Sequence, residues 1–177
     1  MPRTDPIISS FAPAVEPRSR IIDIGAGKGY LAQHLSDRFG ARVTMVDVAS
    51  YNQSRLPLIV CDSRALAFGS DSFDMALLSF VLHHSRSPEA ILGEALRVAR
   101  KVVVIENNVR GSLRRAITRV VDSWPALRYG TPPCYMAQSR SEWLTFFRRF
   151  PVEVNAVGEF KLESSFFDCF TVVLKRK

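Results

Sequence analysis

Three glycines at alternate positions, Gly25, Gly27 and Gly29, follow the acid Asp23 at the end of an apolar run, and that combination reads as a ligand-binding turn. Glycine tolerates positive φ and has no Cβ, so the chain turns sharply from strand to helix and lets a ligand touch the main chain. A nucleoside cofactor is the natural occupant. The dinucleotide fingerprint would put its third glycine at position 30, where Tyr30 stands, so the spacing is Asp-x-Gly-x-Gly-x-Gly instead. Beyond it, residues 42–47 form a second apolar run ending in Asp47, an acid suited to accept both hydroxyls of a ribose; the bland alternative is a solvated turn aspartate. His83 and His84 close a fourth run. Imidazole titrates near neutrality and can take a proton from an acceptor. Glu106 closes a fifth run, either at a pocket edge or as a solvated strand end.

The elements that must position these residues alternate short apolar runs with amphipathic segments, which implies a parallel sheet covered by helices on both faces. Strands are expected at about residues 20–25, 42–47, 57–61, 73–80 and 101–106, with helices at about 29–39 and 88–99. Ser87 and Pro88 suit the cap and first turn of the second helix. In a doubly wound sheet the carboxyl ends of adjacent strands share one edge, so the glycine turn, Asp47 and the histidines face one crevice. On a strand, His83 and His84 would point to opposite sides. Only 14 residues lie between Asp47 and Asp62, with Pro57 among them, so a helix there is missing or reduced to a turn.

The order and register of IIDIGAGKGY, VTMVD, VCDSRALAF, DSFDMALLSFVLHH and SPEAILGEALRVARK resemble those of the small-molecule S-adenosylmethionine-dependent methyltransferases, of the class I, Rossmann-like, type 11 kind. The resemblance covers residues 18–106 strongly and the rest loosely. It implies S-adenosylmethionine as cofactor, held by Asp23, Gly25, Ala26, Gly27, Gly29, Tyr30, Asp47, Val48, Asp62, Ser63 and Ser79, with Asp62 on the adenine. It also implies one α/β domain over residues 1–177, with a doubly wound, mostly parallel seven-stranded sheet ending in an antiparallel hairpin, read here in VEVNAVGEF and SSFFDCFTVVLKR. On the same ground His84 is the site-facing histidine. The sulfonium methyl is already activated, so the enzyme mainly aligns the nucleophile and excludes water, and a base serves only a nucleophile that must lose a proton. The alternative for either histidine is a wall residue.

Residues 108–138 combine Arg110, Arg114, Arg115 and Arg119 with a proline- and aromatic-rich stretch, and insertions at this point of the fold shape the acceptor pocket. Trp124, Tyr129 and Tyr135 are the expected acceptor-lining residues of a lid; a plain packing cover is the alternative. A capping box, Ser139-x-x-Glu142, opens the next helix.

At 177 residues and 47% hydrophobic content the chain can bury one core and not two. Neither a membrane span nor a signal-peptide centre is evident, so a cytoplasmic protein is expected. Cys61, Cys134 and Cys169 show no pairing or clustering that suggests a disulfide framework or a metal site. Cys61 and Cys169 read as small apolar strand residues. The Asn/Asp-Pro-Pro-aromatic motif of base-amine methyltransferases is absent after the fourth strand, and Pro133-Cys134 lies too late for a thiolate nucleophile. The net charge of +7 invites nucleic acid or an anionic surface as contact, but no nucleic-acid module fits in this length. The expected function is methyl transfer to an oxygen or nitrogen of a small or lipid-like acceptor. An RNA or protein acceptor recruited through Arg110 to Arg119, and an inactive binding subunit of the same fold, are the competing readings.

Overall fold

The computed structural model describes residues 4–129, 132–162 and 168–177. Seven strands form one sheet in the order β3-β2-β1-β4-β5-β7-β6. They are β1 (Arg20–Ile24), β2 (Arg42–Asp47), β3 (Leu58–Val60), β4 (Met75–Ser79), β5 (Lys101–Asn108), β6 (Val152–Lys161) and β7 (Asp168–Arg176). The first five are parallel, and β7 runs antiparallel to both β5 and β6. The sheet is therefore mostly parallel with an antiparallel C-terminal hairpin, and the segment joining the hairpin's strands lies outside the described residues. The helices are α1 (Thr4–Phe11), α2 (Tyr30–Phe39), α3 (Pro88–Val98), α4 (Ser112–Tyr129) and α5 (Arg140–Phe147).

Near-continuous apolar strands such as Val102-Val103-Val104-Ile105 are fully buried because both faces of the sheet are covered. One face packs Ile22, Ile24, Ala76, Leu78, Val102 and Val104 against α3 and the Trp143, Phe146 and Phe147 cluster of α5. The other packs Ile21, Met75, Leu77, Val103 and Ile105 against Leu35 of α2 and Ile7, Ile8 and Phe11 of α1. The helix α1 was not expected from the sequence. It earns its place through those three apolar residues and a hydrogen bond between the hydroxyls of Ser10 and Thr171, 2.5 Å apart.

Several boundaries differ from expectation for stated reasons. Strand β4 stops at Ser79 because Phe80 takes a positive φ of 57°, which breaks the extended chain. Strand β5 runs two residues past Glu106, because β7 pairs with it as far as Asn108. Between Asp47 and β3 no helix forms, as the spacing required. Arg110 precedes α4 rather than lying in it, and α4 continues through the proline-containing stretch to Tyr129. The capping box at α5 is formed: the Ser139 backbone N–H donates to Glu142 Oε2 at 2.8 Å. Among the described residues no helix is long and apolar enough to cross a membrane.

Candidate functional site

The carboxyl ends of β1, β2 and β4 meet at one edge of the sheet, and the turn leaving β1 is built from main chain. The N–H groups of Gly25 and Ala26 both donate to Val46 O, at 2.8 and 3.1 Å, pinning the turn to β2. Gly27 has φ 54° and donates its N–H to Asp47 Oδ2 at 2.8 Å. A Cβ at Gly27 would meet nothing within 4 Å, so the turn leaves open space there. Gly29 differs: with φ 74°, its absent Cβ would lie 2.6 Å from Ser54 Oγ and 2.8 Å from Asn52 Oδ1. Gly27 thus borders open space, and Gly29 borders protein.

Asp47 is buried, and its second oxygen accepts the Val48 N–H at 2.7 Å. A carboxylate offers about four lone-pair sites; with the Ala49 N–H also on that oxygen at 3.4 Å three are taken, which leaves Oδ2 able to accept one further hydroxyl. Asp23, at the last turn of β1, is also buried, and its pKa is pushed up to about 7, first by desolvation and then by the charge of Asp47. Two acids held this way in low dielectric favour a cation as neighbour. Around them Tyr30 is half-exposed with its hydroxyl donating to Gln53 Oε1 at 2.6 Å, Val48 is exposed, Ser63 is buried and Ser79 is half-buried at the end of β4.

Asp62 does not sit on a strand, since β3 ends at Val60. Arg64 grips its carboxylate, with Nη2 to Oδ2 at 2.6 Å, and this contact holds its pKa down at about 2. An adenine contact from Asp62 would have to compete with that guanidinium. Cys61, half-buried beside it, packs at the rim of the core with a thiol pKa raised by burial.

The histidines are not on a strand. Leu82–His84 forms a 3₁₀ turn, so the rings do not alternate across a sheet; their centroids are 4.1 Å apart and tilted by 42°. His83 is buried and its Nδ1 lies 2.5 Å from Glu106 Oε2, while Glu106 Oε1 accepts the Leu82 N–H at 3.0 Å. Glu106 is therefore not a solvated strand end. A buried carboxylate is costly unless partnered, and here it is partnered by an imidazole and main-chain N–H groups of one turn. His84, the more exposed of the pair, has a pKa lowered first by desolvation and then by His83, with the Pro133 carbonyl opposing both. Its Nδ1 is buried without a hydrogen-bond partner.

The glycine turn and the histidine turn touch. A Cβ at Gly25 would lie 2.5 Å from Val81, the residue that opens the 3₁₀ turn. Over the far side of the turn runs a strap, residues 132–138. Tyr135 and Met136 donate their N–H groups to His83 O at 2.9 and 3.2 Å, and Cys134 donates its own to Ser123 Oγ of α4 at 3.1 Å. The Tyr135 ring lies under the Arg86 guanidinium, 5.0 Å from its centroid. Trp124 and Tyr129 fall on α4, and their side chains lie outside the described residues. Sequence reasoning missed the Glu106 partnership; an acid at the end of Val-Val-Val-Ile was the available sign of a buried one.

Residues 22–105 match the family model of the methyltransferase domain. The demethylmenaquinone methyltransferase of Renibacterium salmoninarum is 30% identical over 145 residues, which are 72% of this chain and 61% of that protein. The ubiquinone/menaquinone biosynthesis C-methyltransferase of Paracoccus denitrificans is 35% identical over 104 residues, 49% of this chain and 41% of that protein. This chain thus spans less than two thirds of the length of either relative. Among solved structures, the 1,6-didemethyltoxoflavin-N1-methyltransferase of Burkholderia thailandensis, with 1,6-didemethyltoxoflavin and S-adenosylhomocysteine bound, superposes with a TM-score of 0.74 at 16% identity, covering 99% of this chain and 77% of that one. An S-adenosylmethionine-dependent methyltransferase of Methanosarcina mazei gives 0.70 at 18% identity, covering 97% of each chain.

Proposed function

With a methyltransferase domain of the class I, S-adenosylmethionine-dependent fold established for this chain, we propose that it transfers the cofactor's methyl group to a hydroxylated, lipid-like aromatic ring of the hydroquinone type. The observation that carries this reading is the contact between the Gly25–Gly29 turn and the histidine turn, which sets a ligand cradle beside a neutral imidazole. The cradle fits the cofactor: Gly27 leaves the room a nucleoside needs, Asp47 retains acceptor capacity for a ribose hydroxyl, and Asp23 with Asp47 favours a cationic ligand. When bound, S-adenosylmethionine supplies a methyl group already activated on a sulfonium.

The chain's own residues supply alignment and proton removal. A lowered pKa keeps His84 neutral at physiological pH. With its other ring nitrogen donating to the Pro133 carbonyl, the lone pair is on Nδ1, buried and without a partner in the free protein, and it takes the proton of a ring hydroxyl when acceptor binding opens that position. The resulting electron density is shared by the oxygen and the adjacent ring carbon. The first relative is named as a demethylmenaquinone methyltransferase and the second as a C-methyltransferase of ubiquinone/menaquinone biosynthesis, which favours the carbon over the oxygen or nitrogen expected from the sequence. After that carbon gains the methyl, its own proton passes to solvent, the ring regains aromaticity, and the oxygen takes back its proton from His84. Glu106 acts through His83, fixing the turn on which His84 sits.

The test uses two prenylated naphthoquinols, one with the ring carbon beside the hydroxyl open and one with it already methylated, and follows labelled methyl from S-adenosylmethionine. Carbon transfer predicts product from the first alone; labelling of both would move the acceptor atom to oxygen. His84→Ala should lower kcat by about a hundredfold at neutral pH, with the deficit shrinking at high pH where the ring hydroxyl ionises unaided. A deficit that stays constant with pH would remove His84 as the base.

A further inference from the structure

Helix α4 is built inside out. Its described face toward the protein is polar: Thr118 is buried with its hydroxyl donating to Arg114 O at 2.8 Å, and Arg115 reaches Glu142 Oε2 of α5 at 2.5 Å. None of its described residues joins either apolar cluster of the core. The large apolar residues among its described side chains instead face out, with Leu113 74% exposed, Ile117 49%, Val120 69% and Val121 52%. At 3.6 residues per turn these four fall within an arc of about 100°, with Arg114 at one edge of it and Arg110 just before the helix begins. An ordinary surface helix has the reverse pattern.

We propose that this face lies in the interface of an anionic lipid bilayer, with Leu113, Ile117, Val120 and Val121 among the upper acyl chains and Arg110 and Arg114 on the headgroups. Exposed aliphatics bordered by arginines are the composition of a helix that lies on a membrane, because the guanidinium stems bury along the apolar boundary while their charges meet phosphate. The net charge of +7 adds long-range attraction to the same surface. A second copy of the chain is a poorer occupant. A two-fold contact through this face would set the arginines of one copy against those of the other. The placement also has a consequence for the site: α4 begins just after β5, and the strap that returns from its end is bonded to His83 O, so the bilayer would lie beside the acceptor side of the sheet edge.

The binding is measured without catalysis, so it stands or falls apart from the acceptor reading. The full chain is sedimented with phosphatidylcholine vesicles, with and without phosphatidylglycerol. Binding should require the anionic lipid and weaken with salt. The double variant Leu113→Asp, Val120→Asp should lose binding by at least tenfold, with an unchanged melting temperature because both side chains already face solvent. Arg110→Glu and Arg114→Glu should each weaken it by about fivefold or more. Vesicle binding that survives the double aspartate variant would overturn the assignment to α4. So would a protein that ignores vesicles but forms a concentration-dependent dimer dispersed by Leu113→Asp.

Discussion

The two halves of the sheet edge are held by different kinds of bond. In the glycine-turn half the donors are main chain: the N–H groups of Gly25 and Ala26 reach Val46 O, and that of Gly27 reaches the Asp47 carboxylate at the end of the next strand. In the histidine half the contacts are buried side chains from distant segments: Glu106 of β5 holds His83, and the strap hangs on His83 O. A main-chain cradle depends on where glycine stands and little on what surrounds it. A side-chain pair depends on three segments being folded together.

That difference predicts opposite patterns of damage within the cradle itself, and the largest expected effect is at Gly29. Gly29→Val places a branched side chain into Ser54 and Asn52 at positive φ, and the αL strain plus overpacking should cost about 3 kcal/mol or more in stability. Gly27→Ala meets no protein atom, so its stability cost should be about 1 kcal/mol, while affinity for S-adenosylmethionine should fall by about tenfold or more. Thermal melts and calorimetry on the two variants separate these. Equal stability losses would show that Gly27 borders protein and not ligand.

The next effect concerns charge. Asp23 titrates at about 7 in the folded protein against 3.8 ordinarily, so the contribution of its neutral form is fully present below pH 3.8 and is lost as the pH rises through about 7. A cationic ligand beside it favours the carboxylate. Affinity for S-adenosylmethionine should therefore rise by up to about tenfold per pH unit between about pH 5 and 7, with proton release on binding. Calorimetry in buffers of different ionisation enthalpy reads that release directly. Asp23→Asn should flatten the profile, and a wild-type profile already flat would place Asp23 away from the cofactor's charge.

The same contrast explains what was legible in the sequence. Gly25, Gly27, Gly29 and Asp47 declare themselves because a positive-φ turn and a strand-end acid are local requirements with few substitutes, and the parallel core follows from Val-Val-Val-Ile and its counterparts. The histidine turn was read as strand because nothing in Ser-Phe-Val-Leu-His-His announces that Phe80 will take φ 57°. Tertiary contacts decide it, with Phe80 N–H donating to Ile105 O at 2.9 Å. Glu106 was misplaced for a related reason: the strand that buries it, β7, lies more than sixty residues further on. Asp62 looked like a cofactor acid by position, and only the fold shows it in the grip of Arg64. The helix α1 carries its apolar residues over only eight positions, too few for periodicity to stand out.

The smallest effect is expected at the strap, and it sharpens the comparison by separating side chain from main chain at one residue. The Tyr135 side chain is half-buried outside the main core clusters, with Arg86 stacked on its ring, whereas its N–H donates to His83 O. Tyr135→Ala keeps that N–H, so the strap stays docked. Losing a partly exposed cation–π contact should cost less than about 1 kcal/mol. If the ring lines the acceptor site, KM for the acceptor should still rise several-fold while cofactor affinity holds. Tyr135→Pro removes the donor instead and should detach the strap from the histidine turn, lowering kcat more than the alanine variant does. A fall of about 3 kcal/mol in the alanine variant with unchanged acceptor kinetics would make the ring a core residue and the strap a cover without selectivity. Equal kinetics in the alanine and proline variants would show that the strap's hold on His83 plays no part in placing the base.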